Sequence, residues 1–296
     1  AALASEGGQV GLAYADVSTG EFLVEEHPAH DAEAIVAALG RIHPAECVTL
    51  EDDAAARALV AGSAPATTIE SWRLHGERAA RLLRDHFAIA SLTPLGLDDR
   101  PAAARAAALC LLYLSENHLE VGSTLTSLRF LTGGDRLHLD SSALRTLEIV
   151  DAGRNGGSAG SLLGVLDQTR TPMGARLLRR RLLEPSGRTD EIRSRLDGVE
   201  GFAAADTTRA RARDVLAQMP DLERLSARLA QDALTPRRAL AIAAGCRLIT
   251  ALSALLNEPR VALGGEARDA LEALDDCSDI AALIEETVSP DAPATL

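Results

Sequence analysis

The sequence predicts a mixed fold: a small α/β domain over residues 1–90, then a mostly α-helical domain over residues 91–296. Three observations carry that reading. Near the start, apolar residues alternate with polar ones at the two-residue period of strands. Beyond residue 100 they recur at the three- and four-residue spacing of helices. Aromatic residues make up only 2% of the chain against 47% hydrophobic residues. The core must therefore be Leu, Ala, Val and Ile, which suits close-packed helices better than an aromatic-rich β-sandwich.

Gln9–Asp16 carries Val10, Leu12 and Tyr14, and Glu21–Glu25 carries Phe22 and Val24, on either side of Ser18-Thr19-Gly20. That is strand, tight turn, strand. Asp31 caps a short helix with Ile35, Val36 and Leu39 on one face, and His43-Pro44 ends it, because the residue before proline is pushed out of the helical region. Cys47–Leu50 reads as a short buried strand. Glu51–Val60 reads as a helix with Asp52 and Asp53 at its positive N-terminal end, broken by Gly62–Pro65. Thr67–Trp72 is β-branched and strand-like. His75–Phe87 is a helix with Leu82, Leu83 and Phe87 apolar and Glu77 four residues before Arg81. The order β-β-α-β-α-β-α suggests a small mixed sheet flanked by helices. Ala88–Asp99, with Thr93-Pro94 and Gly96, reads as the domain boundary.

Pro101 opens the next helix, where its fixed φ is tolerated. Ala102–His118 is rich in Ala and Leu, and Leu109–Leu114 is apolar on every side, so this helix is expected to be central. Leu128–Leu131 and Arg136–Leu139 form a hairpin candidate around Gly133-Gly134. Asp140 and Ser141 cap a short helix through Leu147, Asn155–Gly160 is a Gly-rich loop, and Ser161–Gln168 is a helical turn. Thr171–Leu183 is a well-marked helix, with Thr171 as N-cap, Pro172 first, and Leu177, Leu178 and Leu182 apolar. Thr189 caps the next, whose stripe is Ile192, Leu196 and Val199. Asp221–Gln231 repeats the pattern with Leu222, Leu225 and Leu229. Thr235-Pro236 opens a long helix striped by Leu248, Leu252 and Leu255. Gly264-Gly265 ends that arm, and Glu266–Thr287 supplies one or two further helices.

Composition then excludes functions. The net charge is -13, from 43 acids and 30 bases, and every base is Arg. That balance argues against a whole-surface grip on DNA or an anionic membrane. The Lys-free composition fits either a GC-rich genome or a salt-tolerant proteome. No apolar run is expected to reach a membrane span, and Ala1–Gly8 lacks the regions of a signal peptide, so a cytoplasmic location is expected. The chain begins without Met and reads as cut at both ends. Cys47, Cys110, Cys246 and Cys277 lie far apart and are expected to be buried hydrophobes in a reducing compartment. His27, His30, His43, His75, His86, His118 and His138 show no ligand spacing and are expected at the surface. Glu25-Glu26, Asp52-Asp53, Asp275-Asp276 and Glu285-Glu286 read as solvated faces rather than acid/base pairs. Asp16 is a strand carboxylate of the kind that binds metal in nucleases, but no second and third acid stand at matching positions.

No GxxxxGK[ST], GxSxG, HExxH or DxDxDG element is present, and without Lys no phosphate-loop lysine can be. No catalytic residue, metal site or cofactor is expected in this chain, and so no enzymatic activity. Asn155–Gly160 is a weak candidate phosphate cradle. Arg176 and Arg180 share a helix face, with Arg179 beside them and Arg181 and Arg188 close by. A local phosphate contact competes there with pairing to Glu184, Asp190 and Glu191.

A series of blocks then carries a family resemblance: Leu139-Asp140-Ser141-Ser142-Ala143-Leu144-Arg145-Thr146-Leu147-Glu148-Ile149; Ser161–Thr169; Thr171-Pro172-Met173-Gly174-Ala175-Arg176-Leu177-Leu178; Leu182-Leu183-Glu184-Pro185; Asp190–Glu200; and Pro220-Asp221-Leu222-Glu223-Arg224-Leu225. In order and spacing they resemble the core, or lever, domain of the MutS DNA mismatch-repair family. The resemblance makes Asp140, Leu147, Glu148, Thr171, Pro172, Gly174, Arg176, Pro185, Asp221, Leu222, Glu223 and Arg224 structural motif positions, with Gly174 expected to let a neighbouring backbone approach. Gln9–Glu25 resembles the start of the family's connector, an RNase H-like α/β module without nuclease chemistry. Ile280–Pro290 resembles the core helix that runs up to the clamp insertion.

The resemblance implies an allosteric role: coupling mismatched-DNA binding to an ATPase, both expected outside this chain. It implies ATP and Mg as cofactors of the full-length parent only, a homodimeric parent, and a connector surface for the MutL partner. Two other readings stay open: a stand-alone helical scaffold with an α/β cap, and an RNase H-like nuclease using Asp16.

Overall fold

The computed structural model describes residues 1–117, 124–131, 136–137, 139–153, 157–230, 234–258, 262–289 and 291. His118, His138, Gly133-Gly134, Asn155-Gly156 and the end of the chain from residue 292 lie outside the described residues. Contacts divide the chain into two units. The first is Ala1–Gly134 with His138–Glu148 and Ala230–Asp232; the second is Asp135–Leu137, Ile149–Leu229 and Ala233–Leu296.

The first unit is a six-stranded mixed sheet between helices. Its strands are β1 (Ala2–Glu6), β2 (Gln9–Asp16), β3 (Glu21–Pro28), β4 (Cys47–Leu50), β5 (Ala66–Ile69) and β6 (Arg129–Phe130), in the order β5-β4-β1-β2-β3-β6. β1, β2 and β3 are antiparallel neighbours, while β4 runs parallel to β1, β5 to β4 and β6 to β3. β1 is an addition to the sequence reading. Its Ala2, Leu3 and Ala4 are buried in succession, because a central strand covered on both faces shows no alternation. The fourth predicted strand ends earlier than expected: β5 stops at Ile69, and Trp72 lies in a 3₁₀ turn, 64% exposed.

Side chains alternate across each strand. Leu3, Val10 and Leu12 face α1 (Ala32–Ile42) and α2 (Ala54–Val60), meeting Ile35, Leu39 and Val60. Ala2, Ala4, Ala13 and Val24 face α3 (Arg78–Phe87) and α4 (Pro101–Asn117), meeting Leu83, Ala106 and Leu109. The small residues let α4 sit close. A Cβ on Gly11 would collide with the backbone of Ala102, and Glu26 Oε2 accepts from the Ala103 N–H at 2.9 Å, which places a carboxylate at the positive end of α4. Helix α4 is central, but to the sheet. The boundary drawn at 90/91 thus cuts through the first unit's own core, and the Thr93–Leu95 turn that suggested it is a bend within that unit.

Among the described residues, the two arms of the hairpin candidate are not paired with each other. The first arm pairs with β3, and Arg136 bridges Ser186 instead. Asp140 caps α5 (Ser141–Thr146) through the Ala143 N–H, and α5 contacts α1.

The second unit is α6 (Leu162–Leu166), α7 (Pro172–Leu183), α8 (Thr189–Ala204), α9 (Asp206–Leu216), α10 (Leu222–Ala230), α11 (Pro236–Leu256), α12 (Gly265–Glu272) and α13 (Ser278–Thr287). Thr189 does not cap α8 but begins it; Ser186 Oγ instead accepts from the Arg188 N–H and donates to Glu191. Gly264-Gly265 opens α12 rather than closing α11. The apolar α8 stripe is open: Ile192 is 42%, Leu196 59% and Val199 63% exposed. Against expectation, α11 is long and apolar enough to cross a membrane by length and composition, with a mean hydropathy of 1.9. It packs on α9 and α13, and Pro220 and Leu222 close on its Gly245.

Candidate functional site

The helical unit brings together two sequence blocks that lie far apart in the chain. Thr171 Oγ1 accepts from the Gly174 N–H at 2.9 Å, so α7 starts where Pro172 fixes φ. One turn on, Arg176 projects toward the start of α10. Its Nη1 and Nη2 donate to Asp221 Oδ2 and Oδ1 at 2.8 and 2.6 Å, and its Nε and Nη2 donate to Glu223 Oε2 at 3.0 and 2.6 Å. The planar guanidinium thus binds one carboxylate bidentately and a second beside it. Arg176 holds the Asp221 carboxyl below its ordinary range, with help from the Arg224 N–H, and the two carboxylates raise the Arg176 pKa. Arg224 Nε stands 3.7 Å from Asp221, and Leu222 packs into α11 at Gly245.

Gly174 has a different role from the one expected. The three nearest heavy atoms to a Cβ there are side-chain atoms of Thr171 and Thr169, not a neighbouring backbone; its smallness accommodates the cap hydroxyl itself. Pro185 is fixed by its carbonyl, which accepts from the Leu137 N–H at 2.8 Å. Asp140, Leu147 and Glu148 group with the first unit and do not join this cluster.

A second clasp lies further along α7. Arg181 and Arg195 both pair with Glu266 at the start of α12, and Arg195 also pairs with Glu191. Burial, then the like charge of Arg195, lowers the Arg181 pKa. Beside this clasp is a cavity of about 560 Å³ between Leu177, Val199, Phe202, Ala267 and Arg209. Sequence reasoning missed Glu266. Glu191 and Arg195 are legible as an i,i+4 pair, but nothing local announces a partner 71 residues away.

The remaining candidates fall as follows. Arg176 is committed to carboxylates, and its partners are Asp221 and Glu223, not the Glu184, Asp190 and Glu191 expected. Arg179 is exposed and Arg180 half-buried on α7. Arg188 pairs with Asp190 and holds its carboxyl down to about 2. Asp16 Oδ1 accepts from the Ser18 N–H and hydroxyl, as a turn-former does. His27 and Glu25 are buried rather than solvated, 3.2 Å apart, with Arg41 3.6 Å from Glu25. Among the described residues no three His, Cys, Asp or Glu side chains are grouped as metal ligands, and the chain has no Lys.

Residues 142–296 match the family model described as MutS domain III, and residues 1–129 match MutS domain II. The chain belongs to the MutS family. The Arg176 cluster, a clamp between α7 and the start of α10, therefore joins two positions within MutS domain III, and α4 falls inside the match to MutS domain II, in keeping with its packing on the sheet. Among similar proteins, the DNA mismatch repair protein MutS of Solibacter usitatus is 34% identical over 306 residues, covering 100% of this chain and 34% of that protein. Those of Chlorobaculum parvum and Myxococcus xanthus are 32% and 34% identical, each covering 97% of this chain and 32% of the relative. The chain spans about a third of the length of the MutS relatives it matches.

Proposed function

We propose that this chain is the connector and lever segment of a MutS-type DNA mismatch-repair protein, non-enzymatic in itself, which transmits strain between mismatched-DNA binding and ATP hydrolysis in the whole protein. The observation that supports this is the Arg176 cluster: it ties α7 to the start of α10 across 45 residues, a link through which displacement of one helix can pull on the other. A transmitting element needs such a link, whereas a loose scaffold does not. In this reading ATP and Mg act elsewhere in the parent, mismatched DNA and MutL are partners of the whole protein, the connector supplies the MutL surface, and the parent works as a cytoplasmic homodimer.

The test is a chimera in which this chain replaces the matching third of the Myxococcus xanthus protein. Arg176→Ala in the chimera is expected to leave mismatched-duplex affinity within twofold and to slow ATP-triggered release of the duplex at least fivefold. Equal loss of both, or no change in release, would refute a transmitting role.

A further inference from the structure

We infer that Cys246 and Cys277 form a dithiol that closes to an intramolecular disulfide under a two-electron oxidant, stapling α11 to the start of α13. The register of the two helices carries the inference. Thr250 Oγ1 on α11 donates to Asp276 Oδ2 at 3.0 Å. Toward the other end of the contact, Ala243 and Ile242 pack with Ala281 and Ile284. Rising numbers on α11 thus meet falling numbers on α13, and the helices run antiparallel. Between the two levels α11 presents Cys246, one turn before Thr250. On the other side stands Cys277, next to Asp276 and one turn before Ala281, whose N–H donates to the Cys277 carbonyl at 3.1 Å. Cys277 joins the same apolar cluster as Cys246, and both are free thiols.

Burial, then the proximity of Cys277, raises the Cys246 pKa; Arg247 opposes this but is itself paired with Glu285, and Asp276 adds to it. Desolvation, then Asp275, Asp279 and Asp276, raises that of Cys277. Both are therefore protonated at neutral pH, and closure accelerates as pH rises, because the thiolate is the reacting species. With a diazenedicarboxamide such as diamide, one thiolate adds to the N=N bond and the second displaces the hydrazine from sulfur. Two S–H bonds are lost, one S–S bond forms, and two electrons and two protons pass to the diazene, which leaves as the hydrazine. The bond would remove freedom between α11 and α13. Its effect on a lever depends on the function proposed above, whereas the bond itself is read independently of it.

The experiment treats the folded chain with diamide across a pH series, alkylates the remaining thiols in denaturant, and maps peptides by mass spectrometry. Expected are the loss of two of the four thiols, a peptide linking positions 246 and 277, and a higher melting temperature that reverts with dithiothreitol. Cys246→Ser and Cys277→Ser should each abolish the link, and Cys47→Ser should not. Cys110, whose pKa burial pushes up to about 11, should stay reduced. Recovery of both thiols from folded chain at alkaline pH, or linkage only through Cys47, Cys110 or a second molecule, would overturn the inference.

Discussion

Replacing Arg176 by Ala removes four charge-assisted hydrogen bonds at once. Exposure decides how much each contributes. The side chains of Arg176 and Asp221 are 29% and 18% exposed, that of Glu223 48%. The bidentate Asp221 half is mostly shielded, and shielded bonds to charged groups contribute roughly 1.5–3 kcal/mol. The Glu223 half is screened by water and contributes about 0.5 kcal/mol. Arg224 partly compensates Asp221 once Arg176 is gone, so the expected loss is about 2 kcal/mol. Urea unfolding followed by helical circular dichroism measures it. A double-mutant cycle should give a coupling of about 1.5 kcal/mol with Asp221 and about 0.5 kcal/mol with Glu223. Arg176→Lys should recover less than half, since an ammonium cannot form two parallel bonds to one carboxylate. The pH dependence has a defined sign. The folded-state pKa of Asp221 lies below 3.8, so the clamp's stability is complete above the unfolded value and is lost as pH falls through the folded one. The gap between wild type and Asp221→Asn should therefore close in strong acid. An Arg176→Ala protein within about 0.5 kcal/mol of wild type, or one coupled more strongly to Glu223 than to Asp221, would refute the clamp.

Residues 1–90 expressed alone should fail to give a cooperative unfolding transition, whereas residues 1–134 should give one, because the sheet's second face is covered by α4; equal cooperativity in both would contradict the placement of α4. Gly265→Ala should cost about 3 kcal/mol, combining a φ of +52° with a Cβ that would strike the Ser194 backbone; chemical denaturation of the variant checks it.

Local chemistry explains what the sequence made legible. Asp31, Asp53, Asp140 and Thr171 each accept a backbone N–H at a helix start, and capping requires only neighbours in sequence. Thr189 and Thr235 show the limit: they stand near helix starts without a capping bond. Strand β1 and the role of α4 were hidden because their small, uniformly apolar residues carry no period once both faces are covered. The site was legible as blocks but not as a clamp. Arg176 read as a cation among nearby acids, and only the fold reveals that Asp221 and Glu223, from another block, are its partners.

The same pairing reconciles an acidic chain with membership of a DNA-repair family. The pair of Arg268 with Glu272, within one helix, is exposed and contributes little to stability. The better-shielded pairs between segments distant in sequence, Arg176 with Asp221 and Arg195 with Glu266, tie one helix to another. They also occupy the cations. A phosphate approaching Arg176 would have to displace two carboxylates that already accept four charge-assisted bonds. Both would then face the phosphate as like charges at close range, where repulsion is least screened. Arginine placed this way links α7 to the start of α10 and commits its guanidinium to carboxylates, so the tie between the helices and the cost of a phosphate approaching Arg176 have one physical origin.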